Sequence, residues 1–253
     1  MIPQIISVLG FPINSFGLCV ALAIFAASLL MARSFTAFGL PAERAESYVF
    51  IGGITGLLGA RLWFLLFNIP MVMSDPLGTI FSSAGFIFYG GFIFAFIVLF
   101  LMSRRDKISF LTFLDAAGPS MSLGYAIGRL GCQLSGDGDY GKVTDSVFGM
   151  SYHTGVVPTP PGLLVFPTPL YESAICLMIL FFILALERQR SFGLPGRWFG
   201  VYLLLVSLER FVVEFLRIEP RFAGGLSQAQ YIAIAFMMCG TALILFRRQG
   251  ARS

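Results

Sequence analysis

Charge is scarce in this chain, and histidine is nearly missing. Only 12% of the 253 residues are Asp, Glu, Lys or Arg, whereas 57% are hydrophobic, and the mean hydropathy is +0.85. A soluble domain of this size meets water over its whole outside and does not carry so much apolar surface. The composition therefore excludes an ordinary soluble fold and points to a membrane protein. With His153 as the only histidine, a His-based metal centre is not expected. The four cysteines, Cys19, Cys132, Cys176 and Cys239, form no CxxC pair and no Cys/His cluster. They read as small buried hydrophobes, not as a disulfide frame or a zinc site. The net charge of +4 is too small to argue for a nucleic-acid partner, and none is expected. No basic residue precedes the first apolar run, so the N-terminus reads as a retained span and not a cleaved signal. There is no low-complexity tract, and a single membrane domain over residues 1–253 is expected.

Apolar stretches long enough to cross roughly 30 Å of hydrocarbon recur along the chain. They are Ser15–Ala32, Tyr48–Asn68, Phe86–Met102, Ile108–Leu130, Leu170–Leu186, Trp198–Leu216 and Gln230–Phe246. All must be helical, because lipid cannot satisfy a free backbone. The fourth carries Asp115, Pro119 and Arg129, so any irregular backbone near Pro119 must be covered by other helices. The expected fold is an all-α, seven-transmembrane-helix bundle. Its orientation follows from the basic residues. The loops after spans one, three and five and the C-terminal tail carry Arg33, Arg44, Arg104, Arg105, Lys107, Arg188, Arg190, Arg197, Arg247, Arg248 and Arg252. The other side has Lys142 and Arg221. The N-terminus is thus expected outside and the C-terminus in the cytoplasm. A six-span alternative, with the fourth segment re-entrant, spoils this balance.

The remaining charges lie inside the spans and gather toward the outer leaflet. Arg61, Arg129, Glu172, Glu209, Arg210, Glu214 and Arg217 all fall in outer halves, and only Asp115 lies in an inner half. A charge within a span costs on the order of 2.5–3.5 kcal/mol on insertion scales, so partners, water or function must retain it. Arg210, Glu214 and Arg217 are spaced by four and three and share a helix face. Arginine's planar fork suits phosphate, so an anionic lipid headgroup fits this set. A salt-bridge ladder that only ties helices together is the competing reading of Glu214 and Arg217. The outer loop 131–169 is long and rich in Gly and Pro, and is expected to belong to the functional region. It begins within Gly128-Arg129-Leu130-Gly131-Cys132-Gln133-Leu134-Ser135-Gly136-Asp137-Gly138-Asp139-Tyr140-Gly141. Asp137 and Asp139 alternate as in a calcium loop, but the glycine position and the missing final glutamate break that pattern. A glycine turn presenting Arg129 and an acid to a pocket is the better reading.

These motifs resemble those of the bacterial prolipoprotein diacylglyceryl transferase family. Its signature is similar to Gly-Arg-x-x-Asn-x-x-x-Gly-Glu-x-x-Gly, matched here by Gly128, Arg129, Gly136 and Gly141, with Asp137 or Asp139 for the acid. Gly59-Ala60-Arg61-Leu62, Leu170-Tyr171-Glu172, Arg210 through Arg217 and Leu226-Ser227 through Gln230 match further motifs in order. The departures are specific. The family's His-Gly-Gly reads Tyr89-Gly90-Gly91, the signature asparagine is Cys132, and one extra residue separates Gly136 from Gly141. Tyrosines of spans one and six are Phe16 and Val206. The resemblance implies transfer of a diacylglyceryl group from phosphatidylglycerol to the lipobox cysteine of a prolipoprotein. It implies a monomer in the bacterial inner membrane with its site toward the periplasmic leaflet, and no cofactor or metal. Arg129 and Arg210 then hold the phosphate. Asp137 or Asp139 binds glycerol hydroxyls or takes the thiol proton, and Tyr89 stands in the histidine's slot or serves as an interfacial anchor. Arg61, Glu172, Glu214 and Arg217, with Gly136 and Gly141, shape the lipid-binding pocket. A related transferase with another acceptor, and a non-catalytic anionic-lipid-binding or transport protein, remain alternatives.

Overall fold

The computed structural model describes residues 1–8, 11–81, 85, 87–188, 194–222 and 224–245. The predicted span ends at Phe86 and Phe246, and the loop and tail arginines Arg190, Arg247, Arg248 and Arg252, lie outside the described residues. A short hairpin opens the chain: β1 (Gln4–Val8) pairs antiparallel with β2 (Phe11–Asn14), Gln4 opposite Asn14. Nine α-helices follow among the described residues, with one 3-10 turn at Ala42–Arg44. They are α1 (Ser15–Ala37), α2 (Ala45–Phe67), α3 (Ile69–Ser74), α4 (Pro76–Phe81), α5 (Phe88–Arg105), α6 (Phe110–Ser135), α7 (Thr168–Arg188), α8 (Arg197–Val213) and α9 (Gln228–Leu245). The seven longer ones overlie the predicted spans. Ser15–Ala37, Ala42–Phe67, Thr168–Glu187 and Gln228–Leu245 are long and apolar enough to cross a membrane by length and composition. The hairpin and the two short helices α3 and α4 were not foreseen, because each is too short for periodicity to register.

The molecule is apolar outside and charged within. Phe25, Leu58, Phe181 and Met238 are each more than 60% exposed, while Glu172 and Glu214 are wholly buried. Water would reject that arrangement and lipid favours it. Cys19, Cys132 and Cys176 are buried as expected, but Cys239 faces outward from α9. In a bilayer the outward face is as apolar as the core, so a small hydrophobe is stable on either side.

Glycines bring the helices close. A Cβ on Gly59 of α2 would stand 2.8 Å from the Gly90 carbonyl of α5, and one on Gly91 would stand 2.6 Å from the Gly56 carbonyl. Gly200 and Gly240 join α8 to α9 in the same way. Such small-residue crossings are how helices associate where burial from water offers no drive. Hydroxyls add polar ties between α6 and α7: Ser122 Oγ donates to the Cys176 carbonyl at 2.7 Å, and Ser173 Oγ to Ala126 at 2.9 Å. The helix α6 runs unbroken through Pro119, which is fully buried.

Two charged residues have structural duties here. Asp115 accepts hydrogen bonds from Gly196 N at 2.5 Å and Phe199 N at 2.7 Å. It thereby caps the start of α8, where amide donors are unsatisfied and negative charge is favoured. That accounts for the one acid in an inner half-span. Arg61 of α2 donates to the carbonyls of Gly85 at 2.9 Å and Ile80 at 3.0 Å, and also to that of Thr79. It closes the C-terminal end of α4.

The α2–α5 crossing can be tested directly. Gly59→Ala should destabilise the detergent-solubilised protein by roughly 1–3 kcal/mol, because its methyl meets backbone and the Phe94 Cβ. Gly53→Ala, with only Ile24 at 3.9 Å, should be neutral or stabilising by about 0.5–1 kcal/mol. Thermal unfolding of the two variants beside the parent checks the contrast.

Candidate active site

The site is built where α6, α7 and α8 end or begin on one side. Gly136 ends α6 in the left-handed region, with φ +60°, and its N–H returns to the Cys132 carbonyl at 2.9 Å. Any Cβ there would lie 2.7 Å from Gly155 Cα. Five residues on, Gly141 pairs with Arg217 in an antiparallel bridge, and Lys142 N donates to the Leu216 carbonyl at 2.7 Å. A Cβ on Gly141 would stand 2.5 Å from that same carbonyl oxygen. The two glycines thus let the chain leaving α6 lie against the chain leaving α8. This brings Asp139 onto Arg217.

That pairing also corrects the expected helix. The spacing predicts Arg210, Glu214 and Arg217 on one face of a helix reaching Leu216, but α8 ends at Val213. Arg217 and Arg221 instead form bridges with Gly141 and Ser227. The backbone past Val213 is held by these partners, and the helical ladder stops. The side chains still converge.

Glu172, in the first turn of α7, is the centre. It is completely buried, and both of its oxygens face guanidiniums. Arg129 Nε lies 2.8 Å from Oε2, Arg210 Nη1 lies 2.8 Å from Oε1, and Arg217 Nη1 approaches Oε1 at 3.9 Å. Arg210 Nη2 also reaches Glu214 Oε2 at 2.8 Å. Arg217 Nη2 meets Asp139 Oδ1 at 2.9 Å, and Arg129 pairs with the other Asp139 oxygen. Arg217 Nη2 also meets the half-exposed Glu219 Oε1 at 3.3 Å, so three cations and four carboxylates form one network. Neutral groups complete it. Thr168 Oγ1 donates to the Asp139 carbonyl at 2.6 Å, and Ser227 Oγ to Glu214 Oε1 at 2.7 Å. The Tyr125 ring lies 5.1 Å from the Arg129 guanidinium. Ions removed from water need this density of partners to be tolerated.

Arg210 is the network's way out. Its side chain is 25% exposed, and it opens on a cavity of about 210 Å³ shared with Tyr89, Glu214, Glu219, Phe222 and Ser227. Tyr89 therefore belongs to the same site as Arg210, 121 positions later in the chain. The predicted residues Arg129, Asp139, Glu172, Arg210, Glu214 and Arg217 come together, with Gly136 and Gly141 as the hinges that allow it. Arg61 is engaged at α4. Asp137 holds the loop, accepting from the Asp139 amide at 3.2 Å.

Asp137, Asp139 and Cys132 bring possible ligand atoms within 4.8 Å of one another. Arg129 Nη1, however, sits 3.8 Å from Cys132 Sγ and is paired with Asp139. Positive charge already stands where a metal ion would go. Burial works against the ionised form of Asp139, but the Arg217 and Arg129 guanidiniums outweigh it and hold this carboxyl down at about 2.

The roles of several supporting residues escaped the sequence reading, which matched Ser227 and Gln230 as a motif without assigning them a part. Ser227 and Gln230 have the spacing of a capping box, and it forms: Ser227 N donates to Gln230 Oε1 at 3.0 Å. Thr168 and Tyr125 left no comparable signal, since each acts through a contact far along the chain or within the membrane.

Fold and site together define a helical membrane protein with a buried arginine–carboxylate centre opening on one small cavity. The family model described as prolipoprotein diacylglyceryl transferase matches residues 3–246. A phosphatidylglycerol–prolipoprotein diacylglyceryl transferase of Clostridium tetani is 30% identical over 241 residues, covering 95% of each chain. Proteins of the same name from Leptospira interrogans and Chlorobaculum tepidum are 28% and 32% identical. They cover 92% and 80% of this chain, and 88% and 73% of their own. The chain belongs to the prolipoprotein diacylglyceryl transferase family, and it is a multi-pass membrane protein.

Two outcomes follow from the network. Glu172→Ala leaves Arg129 and Arg210 buried without their shared anion and should cost about 3–5 kcal/mol, read by thermal or denaturant unfolding in detergent. The Asp139 anchor has a depressed folded-state pKa. Its contribution is therefore complete above the ordinary carboxylate range and is lost only as pH falls through about 2. Exchange protection of the Lys142 amide, normalised for intrinsic rates, should persist down to about pH 4 in the parent. It should be lost at every pH in Asp139→Ala.

Proposed function

We propose that this chain moves the diacylglyceryl group of phosphatidylglycerol onto the lipobox cysteine thiol of prolipoproteins, as the names of its relatives state for them. The observation that carries the reading is Arg210, held by two buried carboxylates yet a quarter exposed on a cavity beside Tyr89. A guanidinium fixed in that way is preorganised for a phosphate. Arg129 grips the other oxygen of the same Glu172, so one phosphodiester above that carboxylate is within reach of both.

In the reaction the acceptor S–H bond breaks and sulfur attacks the glyceryl carbon next to the phosphate oxygen. A C–S bond forms as the C–O bond breaks, and glycerol phosphate leaves with the electron pair. The leaving oxygen gains charge, which Arg210 and Arg129 offset. A thiol with an ordinary pKa of about 8.5 must give up its proton. Asp139 is unsuited to take it, being held ionised at about 2 by two arginines. Asp137 is the loop acid left for that step, and Tyr89 donates its hydroxyl within the cavity. Glu172, Glu214 and Arg217 hold the arginines in position, and Arg61 steadies the wall beyond α2.

The proposal includes seven crossings, with the N-terminus outside and the C-terminus in the cytoplasm, supported by eleven basic residues against two. On that topology the single domain 1–253, with loop 131–169, opens its site to the periplasmic leaflet of the inner membrane. It acts as a monomer and takes no nucleic acid. A transferase with a different acceptor is the second reading, favoured by Tyr89 in the family's histidine slot.

Purified protein given phosphatidylglycerol and a lipobox peptide should add one diacylglyceryl mass to the cysteine. No adduct, where an active relative gives one, overturns the reading. Arg210→Ala should lower the transfer rate by about a hundredfold or more.

A further inference from the structure

Glu209 is left over from the site. It lies on α8 beside Arg210, only 3% exposed, and among the described residues neither carboxyl oxygen has a hydrogen-bond partner. Among the described residues no ion pair reaches it, and the three guanidiniums of Arg129, Arg210 and Arg217 are already engaged by Asp139, Glu172, Glu214 and Glu219. Its charged and titratable neighbours come from every helix packed around it. They are Tyr125 and Arg129 of α6, Glu172 and Cys176 of α7, Tyr202 and Arg210 of α8, and Arg217 beyond. The helix α9, on the other side of α8, offers only Tyr231 and Cys239.

With Glu219 on Arg217, the network already carries one net negative charge without Glu209 and would carry two if Glu209 were ionised. An unpartnered buried carboxylate has nothing to replace its lost hydration. A negative neighbour also weakens the pull of the arginines on an arriving anion. We propose that Glu209 is a proton-binding residue of the site, neutral while an anionic lipid headgroup is seated on the arginines, and that its ionisation weakens headgroup binding. By linkage, headgroup binding must in turn tighten the hold of Glu209 on its proton. Glu209 acts through the arginines, so it is a positioning residue. The inference rests on the proposed seating of a lipid phosphate at Arg210.

The test is binding of phosphatidylglycerol in neutral-lipid nanodiscs, without acceptor peptide, between about pH 6 and about pH 9. The phosphodiester stays a monoanion throughout. The parent should lose affinity on the order of tenfold over that range, the effect of about one pKa unit of coupling. Glu209→Gln keeps the shape and hydrogen-bonding size of the acid, and its affinity should change less than about twofold on the same scale. Calorimetry in two buffers of different ionisation enthalpy gives a second readout. The parent should take up a fraction of a proton on binding, and Glu209→Gln should not. Equal pH profiles or equal proton uptake in the two proteins overturn the inference. So does a Glu209→Gln protein that binds normally but fails to transfer at every pH, since Glu209 would then be the proton acceptor of the reaction. Arg210→Ala is the separate arm. If it binds phosphatidylglycerol as well as the parent does, the headgroup seat itself is wrong and both readings fall.

Discussion

One buried carboxylate holds this structure's functional end together. Glu172 gives one oxygen to Arg129 of α6 and the other to Arg210 of α8, so three helices share a single anion. Remove it and two largely buried guanidiniums lose the anion they share. Keep it and both are fixed in direction before any ligand arrives. On the proposed function the same contact serves stability and function, and the competing readings of these residues are therefore not alternatives. Arg210, Glu214 and Arg217 are an internal ladder, and one member of that ladder also opens on the cavity.

The glycines give the network its reach. Asp139 can meet Arg129 and Arg217 only if the chain turns at Gly136 and then lies flat on residues 216–217 at Gly141. Asp139, and not Asp137, ends on the arginines. Farther off, Gly90 and Gly91 seat α5 against α2, and so hold Tyr89 at the cavity rim. Conformational freedom at a few backbone positions thus decides which side chains meet.

Much of this was legible in the sequence. The helices announced themselves by length and hydropathy, and the cluster by charges that a membrane makes costly. The order of the motifs named the family. What stayed hidden has physical reasons. The end of α8 at Val213 depends on backbone pairing with Gly141, 72 positions earlier, and no local propensity reports that. The hairpin Gln4–Asn14 is too short to show a period. Arg61 and Glu172 look equally functional as intramembrane charges, yet one closes a short helix and the other organises the site. That these charges fall within apolar helices could be read from the sequence, but their partners could not.

The replacement of the family histidine by Tyr89 can be weighed against this geometry. A histidine at the rim can gain and lose a proton near neutrality, whereas a phenol there serves as a hydrogen-bond donor. Proton transfer must then fall to carboxyls. The structure separates them by environment. Asp139 is clamped between two cations and held ionised, whereas Glu209 has no hydrogen-bond partner among the described residues. Asp137, at the turn between the helix end and the paired segment, is neither clamped by arginines nor fully buried. Acids in contrasting surroundings take contrasting roles. On the proposed reaction, the divergence at Tyr89 therefore does not empty the site of proton chemistry but shifts it from one aromatic ring to the acids around the arginine network.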